Sequence, residues 1–66
     1  MEIIVNGEPR QIPDSLSAAQ LIEEMGLAGQ RLALEVNEHI VPKSQHPEYR
    51  FAAGDKVEIV NAIGGG

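Results

Sequence analysis

Three features of this chain predict an α+β fold, a mixed four- or five-stranded sheet with one main helix packed across it. Two short runs flank an Asn6-Gly7 pair near the start, one amphipathic stretch with clear start and stop signals follows, and alternating runs occupy the second half. At 66 residues the chain is one domain, near the size at which small proteins need a disulfide or a metal. It contains no cysteine, which excludes a disulfide framework and a thiolate zinc site and makes the cytoplasm the expected compartment. With one Phe, one Tyr and no Trp in a 42% apolar composition, Ile, Leu and Val must build the core.

The opening "EIIVNGEPRQI" reads as a hairpin, because Asn-Gly supplies the two left-handed residues that a tight turn between twisted strands requires. Alternation turns Ile3 and Val5 to one face and leaves Ile4 as the odd apolar residue on the other. In "LSAAQLIEEMGL", Ser17 and Gln20 form a capping-box pattern, and Leu16 and Leu21 are spaced for a hydrophobic staple. Gly26 is placed to end that helix in the left-handed conformation, with Leu27 folding back on the last turn. Ala18, Leu21, Ile22 and Met25 make one apolar stripe, and a helix with one buried face needs a sheet to cover.

"RLALEVNEHIVP" alternates Leu32, Leu34 and Val36 against Ala33, Glu35 and Asn37, with Ile40-Val41 as a short continuation closed by Pro42. A polar loop, a Gly54-Asp55 turn and a final strand complete the chain. In that strand Val57 and Ile59 are expected to point inward, with Val60 and Ala62 on the opposite face beside Ile4. The order strand, strand, helix, strand, strand is satisfied by a ubiquitin-like β-grasp, with hairpins at both ends and a parallel crossover through the helix. Residues 1–63 form this domain and 64–66 a flexible C-terminal glycine tail.

The net charge is −5, and Arg10, Arg31, Lys43, Arg50 and Lys56 are scattered rather than clustered. A nucleic-acid partner requires a basic stripe, so none is expected, and an acidic surface suits docking onto a basic protein. No apolar run is long enough to span a membrane and no basic region precedes the first one, so a soluble protein is expected. His39 and His46 lie at no metal-ligand spacing and read as exposed surface residues; no metal is expected. Ser44, His46 and Glu48 supply the residue types of a hydrolytic triad, but a chain this short can hardly build a core and a substrate pocket together. Asp14-Ser15-Leu16 resembles the phosphopantetheine attachment motif of acyl carrier proteins. Those are helical bundles, and helix capping already accounts for Asp14, Ser15 and Ser17.

The closing "NAIGGG" carries the sharpest chemical suggestion. A terminal carboxylate can be converted to an acyl-adenylate, from which sulfide or a thiol displaces AMP, and this chemistry needs no side chain. Glycines without Cβ atoms can thread a narrow channel, and Gly64, Gly65 and Gly66 would reach roughly 10 Å when extended. Gly66 is then the reacting terminus, and no residue of the chain is catalytic. On the same reading Ile4, Val60 and Ala62 form the apolar centre of a docking face opposite the helix, with Ile63 leading into the tail.

The opening "MEIIVNGEP", the middle "ALEVNEHIVP" and the close "GDKVEIVNAIGGG" resemble the ThiS family, the sulfur carriers of thiamin biosynthesis, over nearly all 66 residues. The resemblance implies a protein cosubstrate rather than an enzyme, with no bound cofactor. An ATP-dependent activating enzyme of the ThiF type adenylates Gly66, a sulfur-donor enzyme replaces AMP, and the thiocarboxylate gives its sulfur to a thiazole synthase. Gly65 and Gly66 match the family's terminal pair, and Gly64 is an additional glycine before it. The small subunit of molybdopterin synthase shares fold, tail and adenylation chemistry and is the alternative, although the shorter chain here favours the thiazole route. An acyl carrier with its group on Ser15 is the alternative from a different class.

Overall fold

The computed structural model describes residues 1–61. Its elements are β1 (Glu2–Val5), β2 (Glu8–Gln11), α1 (Ala18–Glu24), β3 (Leu32–Val36), β4 (His39–Val41), a 3-10 turn (Lys43–Gln45) and β5 (Lys56–Asn61). The five strands form one sheet in the order β2-β1-β5-β3-β4. The last strand of the chain lies at the centre, parallel to β1 and antiparallel to β3. This is the β-grasp arrangement the sequence predicts, with α1 covering one face.

Both hairpins turn on an asparagine. Asn6 and Gly7 have φ of 50° and 85°, and Asn37 and Glu38 have 51° and 72°, the left-handed pair that a two-residue hairpin loop uses. The first turn has the Asn-Gly signature and is legible in sequence. The second places a glutamate where glycine is favoured, so the segment read as a continuation of β3 is a separate strand, antiparallel to it, with Val36 opposite His39 and Leu34 opposite Val41.

The helix start agrees with its sequence signals. Ser17 Oγ accepts from Gln20 N–H at 3.1 Å, and Gln20 Oε1 accepts from Ser17 N–H at 2.8 Å. The other first-turn donors do not wait for water: Ala18 N–H donates to Tyr49 O and Ala19 N–H to His46 O, each at 3.0 Å. The helix therefore begins docked on the loop that follows β4. At its end Gly26, at φ 74°, donates to Glu23 O and Leu27 N–H to Ile22 O, the paired bonds of a Schellman motif.

Ile3, Val5, Ile12, Leu16, Ala18, Leu21, Ile22, Leu34, Val36, Val41, Phe51, Val57 and Ile59 form the core. Of the residues expected inward, Ile3, Val5, Leu34, Val36, Val57 and Ile59 are buried in it, and Leu32 is half-buried against it. The polar loop departs from expectation. His46 is 6% exposed rather than a surface residue, and its Nε2 lies 3.0 Å from Val41 O. Its backbone is pinned to the helix start and its ring to the end of β4, so a loop of polar composition becomes part of the packed structure. Tyr49 and Phe51 meet edge to face beside it, with centroids 5.5 Å apart.

Burial, and secondly the Asp55 carboxylate, raise the Tyr49 phenol above its ordinary value of 10.0. The folded state then holds the phenolic proton to higher pH than the unfolded chain does. Stability from this source is complete below pH 10 and is lost as the pH rises through the folded value. Tyr49→Phe should lessen the fall in denaturation midpoint between pH 9 and pH 11, and an unchanged fall would place its cause elsewhere. At the second turn, Glu38→Gly should raise stability by about 0.5–1 kcal/mol by relieving the left-handed glutamate, as measured by denaturant unfolding.

Candidate functional site

The strand leading to the glycine tail is the central one, with a paired strand on each side. Ile4 N–H donates to Asp55 O at 2.9 Å and Asn6 N–H to Val57 O at 2.8 Å on one side, while β3 runs alongside from Leu32, opposite Asn61, to Val36, opposite Val57. Where β1 ends, the Asn6 side chain continues the ladder. Its Oδ1 accepts from Ile59 N–H at 2.9 Å and its Nδ2 donates to Ile59 O at 3.3 Å. Asn37 does the same at the other end of β5, accepting from Lys56 N–H at 3.0 Å and donating to Asp55 Oδ1 at 3.0 Å. Each turn asparagine thus sets a hairpin and clamps the central strand.

The face of the sheet away from the helix carries Ile4, Pro9, Ala33, Glu35, Ile40, Lys56, Glu58 and Val60, by strand alternation and register. Val60 is 53% exposed and Ile40 70%. Ile4 and Val60 share this face, as expected, and β1 and β5 are neighbours. The register nevertheless sets Lys56, not Val60, beside Ile4. Val60 lies opposite Ala33, four residues further along β5, or roughly 13 Å at a strand's rise. The apolar cluster expected around Ile4 and Val60 is therefore divided between two ends of the face. Ala62, Ile63, Gly64, Gly65 and Gly66 lie outside the described residues.

Between those ends runs a row that sequence reasoning missed. Glu58 of β5 is directly opposite Glu35 of β3, and Glu35 is directly opposite Ile40 of β4. Two carboxylates facing one another across a strand pair destabilise a sheet. Neither makes an ion pair among the described residues, where the two ion pairs join the Met1 amino group to Asp14 and Arg10 to Glu24, each at 3.5 Å. Locating this row requires the β3–β4 and β3–β5 registers, and the first depends on a hairpin turn without an Asn-Gly signature.

Other sequence candidates fall elsewhere. His46 bonds Val41 O, and no hydrogen bond joins Ser44, His46 and Glu48 among the described residues. Among those residues no group of three or more His, Cys, Asp or Glu comes together as a metal site would need, and no helix is long and apolar enough to cross a membrane. Ser15 is exposed in the turn before α1, a helix of seven residues on a five-stranded sheet rather than part of a helical bundle.

Comparison with known proteins agrees with this architecture. The chain is 41% identical over all its residues to a thiazole synthase of Paramagnetospirillum magneticum, of which it spans 20% of the length. It is 32% identical to the protein ycf40 of Porphyra purpurea, covering 93% of it. The sulfur carrier protein ThiS of Escherichia coli is 27% identical over the full length of both chains. The crystal structure of the thiamine biosynthesis protein ThiS from Geobacter metallireducens superimposes over the whole of both chains with a TM-score of 0.84 at 26% identity. The sequence profile of the ThiS family matches residues 3–66, so the match runs through the glycine tail, and the chain belongs to the ThiS family.

Proposed function

We propose that this member of the sulfur carrier family of thiamin biosynthesis works through its terminal carboxylate, as a cytoplasmic protein cosubstrate rather than a catalyst. One observation carries the reading: the family match extends through Gly64, Gly65 and Gly66, which follow the central strand of the sheet. An activating enzyme of the ThiF type binds the carrier with ATP. The Gly66 carboxylate oxygen attacks the α-phosphorus, pyrophosphate leaves, and an acyl-adenylate forms. Sulfur at the sulfide level, delivered by a donor enzyme, then attacks the acyl carbon, AMP departs with the bonding pair, and a thiocarboxylate remains.

A thiazole synthase is the proposed acceptor. Two relatives with that name, 41% and 30% identical, contain the matching stretch within a polypeptide of which it makes up 20%. In those proteins a segment like this chain and a thiazole synthase are one molecule. That pairing favours the thiazole route over the molybdopterin one.

The docking face is proposed to be the sheet surface opposite the helix, with Val60, Ile40 and Ala33 as its apolar part and Glu35 and Glu58 between them. Ile4 lies at its far end, and Ala62 and Ile63, which follow in sequence, are proposed to contact the partner as well. An Arg or Lys of the partner would relieve the repulsion between the facing carboxylates, which fits an acidic carrier docking on a basic surface.

Incubation with an activating enzyme, ATP and a sulfide source should exchange one oxygen for sulfur, and fragment masses should place the change on Gly66 rather than on Met1 or Met25, whose oxidation adds nearly the same mass. An unmodified terminus beside a competent enzyme would overturn the carrier reading. Removal of Gly65 and Gly66 should abolish the exchange while leaving the unfolding midpoint unchanged.

Val60→Asp should keep the fold, since Val60 is half exposed, and lower the rate of adenylate formation about five- to tenfold. Glu58→Gln should separate stability from function. Relief of the facing charges adds about 0.2–1 kcal/mol of stability, while activation slows and becomes less sensitive to salt. Faster or unchanged activation would take Glu58 out of the interface.

A further inference from the structure

On the helix side of the sheet, away from the docking face, a cavity of about 280 Å³ lies between α1, the start of β3 and the 3-10 turn. Ile22, Leu27 and Leu32 make its apolar floor, and Arg31, Lys43 and His46 stand around it. In a chain with ten acidic and five basic residues, two of the five bases border this one hollow. Neither Arg31 nor Lys43 belongs to the two ion pairs among the described residues. Glu23 borders the adjoining depression that shares Ile22, Lys43 and His46, and no ion pair joins it to Lys43.

His46 supplies the second observation. The ring is more than nine-tenths buried, and the nitrogen facing Val41 O must carry the proton, because a carbonyl only accepts. In the neutral imidazole the remaining nitrogen, Nδ1, is then an acceptor, and it has no hydrogen-bond partner among the described residues. Among the described residues no buried side-chain nitrogen or oxygen lacks a partner, so Nδ1 is reachable rather than sealed. An apolar floor, two unpaired cations and an open acceptor on a buried, oriented ring together define a ligand chemistry.

We propose that this cavity binds a small organic acid: a carboxylate between Arg31 and Lys43, a branched aliphatic body on Ile22, Leu27 and Leu32, and a hydroxyl or N–H beside the carboxylate donating to His46 Nδ1. The site is separate from the docking face and does not depend on the carrier reading. Leu32 borders the cavity and is opposite Asn61, so the occupant sits within a strand's width of the end of β5.

The test uses the intact chain, isotopically labelled, with three probes of one carbon skeleton: 2-hydroxy-4-methylpentanoate, 4-methylpentanoate and the neutral 4-methylpentanamide. Amide resonances of Gly29, Gln30, Arg31, Lys43 and His46 should shift saturably with the hydroxy acid. The hydroxy acid should bind more tightly than the plain acid, and the plain acid about fivefold more tightly than the neutral amide. Arg31→Gln and Lys43→Gln, both at exposed positions, should each weaken acid binding about two- to fivefold and leave binding of the amide unchanged. The absence of localised saturable shifts, or equal affinity for acid and amide, would overturn the site. Equal affinity for the two acids would remove His46 from it, and acid binding indifferent to both variants would remove its cationic half.

Discussion

The fold rests on the insertion of β5 between β1 and β3. Until that strand is in place, the two hairpins share no backbone ladder, and the helix has no continuous surface to cover. Val57 is the point of closure: fully buried, it has Val5 beside it on β1 and Val36 on β3, a row of three valines beneath the helix. Such packing suits β-branched side chains and provides the core of a chain poor in aromatic residues. The pairing of β1 with β5 joins residues about fifty apart in sequence, so the sheet cannot close on local contacts alone. The strand that completes the fold is also the one from which the glycine tail continues.

Two asparagines show how few residues can serve several levels of structure. Asn6 and Asn37 each adopt the left-handed conformation of a hairpin turn, and the side-chain oxygen of each accepts a backbone N–H of β5. The loop after β4 works in the same way. Its carbonyls receive the first helix N–H groups and its histidine ring bonds back to β4, so the helix, the loop and the sheet edge form one hydrogen-bonded unit. Without a disulfide, a chain of this size gains order from polar groups that bridge its elements as well as from its aliphatic core.

The outer face of the sheet obeys different rules. Glu35 and Glu58 sit opposite each other in the middle of a well-formed strand pair, beside the 70% exposed Ile40 and two residues along β5 from Val60. Neither the charges nor the exposed aliphatics help the isolated domain. Local choices that conflict with stability concentrate at binding surfaces, where a partner supplies the compensating contacts. The side of the sheet beneath α1 differs, because there Ile3, Val5, Leu34, Val36, Val57 and Ile59 are buried in the core.

By itself the sequence determined the parts whose signals are local. These are the Asn6-Gly7 hairpin, the capping box and Schellman end of α1, and the inward residues of β1, β3 and β5 other than Leu32. Each depends on residues a few positions apart, within reach of backbone geometry and side-chain periodicity. Tertiary structure decided what long-range register and packing control. The central place of β5 set Ile4 beside Lys56 and left Val60 among carboxylates and Ile40, because one register fixes every neighbour on a face. The turn between β3 and β4 stayed hidden, and Ile40-Val41 read as a continuation, because that turn holds a glutamate in a glycine's conformation. His46 was buried because the partners that hold it, Ala19 and Val41, belong to a helix and a strand brought together only when the sheet closes.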